Sequence, residues 1–224
     1  MVGLFVAVAL IHLGAQLFGG GDVADATQVL LMPLLAAVLW LQATAPRSRL
    51  VVLTLVALGL SWLGDSAPKL TDGDAAFLVM VGFFLLAQVA YIVAFWPYRA
   101  SSVLHVRRPL LLVYVAAVVG LVAACVGGAA GMLVPVLVYG ALLGTMAVLS
   151  TGVNGLTAVG GALFLVSDGL IALNAFADGF DLPGQGFWVM STYVAAQSLI
   201  VGGVLRETPS PRARHTQTDA VRSR

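Results

Sequence analysis

The sequence predicts an all-α membrane protein: a bundle of eight transmembrane helices that divides into two parallel four-helix halves. Three observations predict it. The 224 residues are 60% hydrophobic and only 9% charged, with a mean hydropathy of +1.02; soluble domains of this length do not have that balance. The apolar residues fall into eight runs of about 17–22, each near the ~20 needed to cross a hydrocarbon core. Basic residues also alternate from one connection to the next.

The runs lie at 2–18, 28–44, 50–66, 76–97, 109–126, 132–149, 157–176 and 187–205. The first, MVGLFVAVALIHLGAQLF, lacks the basic n-region of a signal peptide and reads as a membrane helix. With no water in the bilayer core to bind free backbone groups, helices are the structure such runs adopt. Pro33 and Pro135 lie inside runs and are candidate kinks. Gly140 and Gly144 form a GxxxG pair in the sixth run, and Gly160 and Gly161 lie together in the seventh. Both sets let a neighbouring backbone approach closely.

Ten of the eleven Lys and Arg residues lie in the even-numbered connections (Arg47, Arg49, Arg99, Arg107, Arg108) or after the last run (Arg206, Arg212, Arg214, Arg222, Arg224). Odd-numbered connections hold Lys69 against Asp22, Asp25, Asp72, Asp74, Asp178 and Asp181. The positive-inside rule then makes both termini cytoplasmic in a multi-pass protein of the cell membrane. Residues 1–206 form the membrane domain, and residues 207–224 read as a disordered basic cytoplasmic tail beside anionic headgroups. Nothing else in the chain supports nucleic-acid binding. The single cysteine, Cys125, excludes an intramolecular disulfide and has no basic neighbour in sequence to activate it.

Two carboxylates interrupt the apolar pattern. Asp168 sits inside GGALFLVSDGLIALN, and Asp65 ends LGLSWLGD. A carboxylate facing lipid is costly, so an intramembrane aspartate marks a site turned towards the bundle or a polar cavity. Both helices run in the same direction and place their aspartates roughly 22 and 16 Å from their inner ends, at comparable depth. Two carboxyls sharing a low-dielectric cavity do not both ionise cheaply, so one holds a proton while the other is charged. Such a pair is equipped for acid/base hydrolysis.

A weak internal repeat accompanies them. SWLGD is followed by LLAQVAY, and FLVSD by YVAAQSL. Each aspartate helix thus precedes a helix bearing Ala-Gln and a tyrosine. Gln88, Tyr91, Tyr139, Asn174, Tyr193 and Gln197 are candidates to orient the carboxyls or bind substrate oxygens. Ser61, one turn before Asp65, and Ser167, adjacent to Asp168, join them. Three histidines, only His12 within a run, supply no zinc set. No G-x-S-x-G elbow, P-loop or dinucleotide fingerprint is present. The chemistry read here requires neither metal nor organic cofactor.

These residues resemble the YhhN/TMEM86 family of lysoplasmalogenases. The resemblance rests on LLMPLLA (Leu30–Ala36), LSWLGD (Leu60–Asp65), GFFLLAQVAYIVAF (Gly82–Phe95), GGALFLVSD (Gly160–Asp168) and YVAAQSLI (Tyr193–Ile200). It implies an eight-helix enzyme that cleaves the vinyl-ether bond of lysoplasmalogens, lysophospholipids drawn from the bilayer. The products are a fatty aldehyde and a glycerophospho-base, either glycerophosphoethanolamine or glycerophosphocholine. The family's paired aspartates map onto Asp65 and Asp168. The family pattern often has Lys-Pro before the LLMPLL-like run, where this chain has Gln28 and Val29, which makes Gln28 a candidate for headgroup preference. An alternative reading is a proton- or cation-coupled transporter or lipid carrier that uses the same aspartates. An intramembrane aspartyl protease is disfavoured, because neither aspartate follows Gly-x-Gly.

Overall fold

The computed structural model describes residues 1–207, the side chain of residue 130 excepted. The expected tail therefore lies, beyond Glu207, outside the described residues. The chain forms α1 (Val2–Phe18), α2 (Gly21–Gln42), α3 (Arg49–Ser66), α4 (Gly73–Phe95), α5 (Arg108–Cys125), α6 (Leu133–Ser150), α7 (Gly155–Phe176) and α8 (Gln185–Glu207). Short 3-10 turns occupy Ala67–Leu70, Trp96–Ser101 and Ala130–Met132. Among the described residues, seven helices are long and apolar enough to cross a membrane, while α1, at 17 residues, is shorter. The protein is a multi-pass, all-α membrane bundle.

Most boundaries match the apolar runs within about three residues. The exception is α2, which begins at Gly21 rather than at 28. The polar stretch before Gln28 reads as loop by hydropathy. It is helical because Asp22 occupies the first turn, where a carboxylate opposes the positive end of the helix dipole.

Neither proline breaks its helix. Pro135 is the third residue of α6, where the missing N–H has no intrahelical partner to lose. Pro33 lies within α2 and cannot donate to the carbonyl of Val29, four residues earlier. The Trp62 indole N–H donates to that carbonyl at 3.0 Å instead. The proline thus creates an acceptor that ties α2 to α3, beside Gln28 and near Asp65.

Sequential helices pack together within each half: α1, α2, α3 and α4 in the first, α5, α6, α7 and α8 in the second. The halves meet where α8 packs on α1, α2 and α3, and where α4 packs on α6. The glycines expected to allow close approach do so. A Cβ on Gly160 would lie 2.8 Å from the Ala196 carbonyl oxygen of α8. One on Gly161 would lie 2.2 Å from Ser150 Oγ of α6. Gly140 and Gly144 face Val118 and Val122 of α5. Asn154 caps α7 by accepting from the Leu156 and Thr157 amides, and its Nδ2 donates to the Gly203 carbonyl of α8 at 2.9 Å. The helix α5 is loosely held: Cys125 is its one buried residue.

Candidate active site

The two aspartates are carried by helices that stay regular through them. Asp65 is in the last turn of α3, and Asp168 is near the middle of α7. Both are buried, at 8% and 5% exposure. Each receives two side-chain donors. The Tyr193 hydroxyl donates to Asp65 Oδ2 at 2.9 Å, and Gln28 Nε2 reaches its Oδ1 at 3.4 Å. The Tyr139 hydroxyl donates to Asp168 Oδ2 at 2.6 Å, and Gln88 Nε2 reaches the same oxygen at 3.4 Å. A buried carboxyl in a membrane needs such partners.

The donors follow a pseudo-twofold pattern. Asp65 on α3 is served from α2 and α8. Asp168 on α7 is served from α6 and α4. Advancing each helix by four, with α8 followed by α4, converts one set into the other. Helix by helix, α2 thus corresponds to α6 and α8 to α4, and the wiring is crosswise: the companion helix of one half serves the aspartate of the other. The Ala-Gln motifs themselves differ in role, since Gln88 reaches Asp168 whereas Gln197 bonds Tyr91 and Ser61.

Local packing explains the residues around Asp65. A Cβ on Gly64 would lie 2.8 Å from the Phe84 ring, so glycine before the aspartate lets α4 press an aromatic ring against α3. Phe84 and Phe164 meet Tyr193 edge-on, with centroids 5.8 and 5.7 Å away. These rings hold the phenol so that its hydroxyl reaches Asp65.

Two cavities adjoin the pair. A polar cavity of about 1230 Å³, including the space at its open mouth, is lined by Gln16, Gln28, Asp65, Lys69, Gln185 and Tyr193, and also by Ser167 and Asp168. A narrow groove of about 740 Å³, counting the open space along its mouth, runs between α4, α5, α6 and α7, walled by apolar side chains such as Phe77, Leu121, Cys125 and Ala172. Tyr139 and Asp168 lie on its wall. Met80, Phe84, Asp168 and Ile171 line both spaces.

The remaining candidates separate by place. Ser61, Tyr91 and Gln197 line neither cavity. They form a buried chain in which the Tyr91 hydroxyl donates to Gln197 Oε1 at 2.5 Å and Gln197 Nε2 donates to Ser61 Oγ at 3.1 Å. This network joins α4, α8 and α3, and it meets the site through Gln197, whose side chain also interacts with that of Tyr193. Ser167 donates to the Val189 carbonyl at 3.0 Å, which pins α7 to α8. Asn174 is exposed and lines neither space. Gln16, Lys69 and Gln185 were not expected at the site. Each is at or beyond a helix end, and only the fold brings them to one mouth. Lys69 there pairs with Asp25. Among the described residues, no three His, Cys, Asp or Glu side chains cluster as a metal site would require.

The YhhN family profile matches residues 23–204. The chain belongs to the YhhN family. The match includes both aspartates and all four of their donors, which lie between Gln28 and Tyr193. The lysoplasmalogenase TMEM86B of Mus musculus is 31% identical over 176 residues, spanning 78% of this chain and 73% of that protein. TMEM86B of Rattus norvegicus is also 31% identical, over 70% of its length. No solved structure matches the chain.

Proposed function

We propose that this YhhN-family protein is a membrane ether hydrolase that cleaves the vinyl-ether bond of lysoplasmalogens. The products are a fatty aldehyde and glycerophosphoethanolamine or glycerophosphocholine. The observation that carries the reading is the pair of buried aspartates on one cavity, each held by a tyrosine hydroxyl and a glutamine amide. The similarity to lysoplasmalogenases supports the substrate class.

The chemistry suits two carboxyls and water. One carboxyl transfers its proton to the terminal alkene carbon, and the π electrons form the new C–H bond. The resulting oxocarbenium ion is stabilised by the second, ionised carboxylate, in the manner of the carboxylate pair of glycosidases. That carboxylate accepts a proton as water adds to the cationic carbon. The hemiacetal then collapses: its C–O bond breaks, the glycerol oxygen takes the proton from the second carboxyl, and the hemiacetal hydroxyl returns a proton to the first. Both groups end as they began. The unbroken helices through both aspartates favour hydrolysis over a carrier, whose binding sites are typically built on interrupted helices. Both termini are on the cytoplasmic side in this reading, because the arginine-rich connections are.

Purified full-length protein is expected to release aldehyde from a 1-alkenyl-glycerophosphoethanolamine. Binding without turnover would instead point to a carrier. Tyr139→Phe is expected to lower kcat by about 10- to 100-fold, the scale of one hydrogen bond to a charged group, with thermal stability retained. An unchanged kcat would remove Tyr139 from the site.

A further inference from the structure

Two spaces of different lining adjoin the pair. The cavity lies among α1, α2, α3 and α8 and reaches α4 and α7, so that Asp65 and Asp168 both line it; the apolar groove lies among α4, α5, α6 and α7, with Asp168 but not Asp65 on its wall. They differ in chemistry and adjoin at Met80, Phe84, Asp168 and Ile171, which line both. Lys69 is the one basic residue among the residues lining either of them. A single-chain phospholipid has matching parts: an anionic phosphate at one end and one hydrocarbon chain at the other.

We infer that the two adjoining spaces bind one single-chain phospholipid end to end across the side chains they share, its phosphate at Lys69 and its chain in the groove, which makes Asp168 the proton donor and Asp65 the water-activating carboxylate. The assignment of the two aspartates rests on the hydrolase reading; the binding mode does not. In a vinyl ether the carbon to be protonated is on the chain side, and the carbon attacked by water carries the glycerol oxygen. A chain in the groove brings the first carbon to Asp168, which lies on the groove wall. It leaves the second facing the polar cavity, where Asp65, Gln28 and Tyr193 stand. The Gln88 carbonyl oxygen is buried without a hydrogen-bond partner. Turned over, that amide accepts from a protonated Asp168. Lys69 then exchanges Asp25, which is 69% exposed, for the phosphate. Water enters at the open, polar end.

Binding is tested with saturated 1-O-alkyl-glycerophosphocholines, which contain no vinyl ether, and with the corresponding alkylglycerols, which lack phosphate. The readout is thermal unfolding of the purified full chain. Dodecyl and octadecyl phosphocholine ethers are expected to raise Tm in the parent protein. Ala172→Phe, which fills the groove, should keep the response to the dodecyl ether and lose it to the octadecyl one. Lys69→Gln should require about tenfold more phosphocholine ether for the same shift, the scale of a charge-assisted contact, with a much smaller change for alkylglycerol. If Ala172→Phe does not fold, Val136→Phe, also on the groove wall, takes its place with the same expectation. The binding mode is overturned by no Tm response in the parent, by equal chain-length response in the folded groove variant, or by equal loss for both ligand types in Lys69→Gln. Stabilisation without aldehyde release from the vinyl ether would sustain the binding mode and overturn the hydrolase reading. Aldehyde release without these responses would do the reverse.

Discussion

Asp168→Asn is expected to reduce aldehyde release from a lysoplasmalogen by about a thousandfold, within the range that general acid catalysis contributes. Asparagine keeps the shape of aspartate and still offers an oxygen to the Tyr139 hydroxyl, now 2.6 Å from the carboxylate. The variant should therefore fold with nearly the parent's Tm. In the proposed mechanism it lacks a proton acidic enough to transfer to carbon, the transfer that mechanism makes slow. Asp65→Asn is expected to fall similarly, because the oxocarbenium ion loses its counter-charge and water its acceptor. Parallel measurements of Tm and aldehyde release separate chemistry from folding. A folded Asp168→Asn protein with even a tenth of the parent rate would contradict the acid/base pair.

Gly161→Val is expected to lower stability sharply. Its first added carbon would lie 2.2 Å from Ser150 Oγ and 3.3 Å from the Ala147 Cα. The serine can rotate, but the α6 backbone cannot recede without opening the α6/α7 contact that positions Tyr139 over Asp168. Overpacking of this kind costs about 1–3 kcal/mol, occasionally more. The branched side chain makes the higher end the expectation, read as a lower Tm and poor recovery in detergent. Gly59→Ala is the control, since nothing lies within 4 Å of a Cβ there. It should be neutral or slightly stabilising, because alanine favours helix. Equal losses in the two variants would refute the packing account.

Polarity inside apolar runs made Asp65 and Asp168 visible in the sequence, because charge in a membrane needs a reason. Run length made the helices visible for the same kind of reason. Two things escaped. The start of α2 carries Asp22 and Asp25, and hydropathy cannot distinguish a polar first turn from a loop. Lys69 and Gln185 stand 116 positions apart and become neighbours only at the mouth of a cavity. Asn174 shows the converse: its residue type suits a polar site, but α7 turns it outward. The repeat was visible as Ala-Gln and tyrosine following each aspartate. Its crosswise wiring was not, because a motif does not say which half it serves.

That wiring bears on ancestry. Four-helix subunits that paired around an axis along the membrane normal would each have lent their last helix to the other's carboxyl. Every subunit would have needed only one acidic residue for the assembled pair to hold two. Such a homodimer presents identical chambers, and a lipid with unlike ends can match at most one of them well. Joining the two copies into one polypeptide removes that constraint. Each chamber then accumulates its own substitutions, one towards glutamine and lysine, the other towards leucine, valine and phenylalanine. On such a descent, two carboxyls that began as equivalents would act as different reagents because their surroundings no longer match.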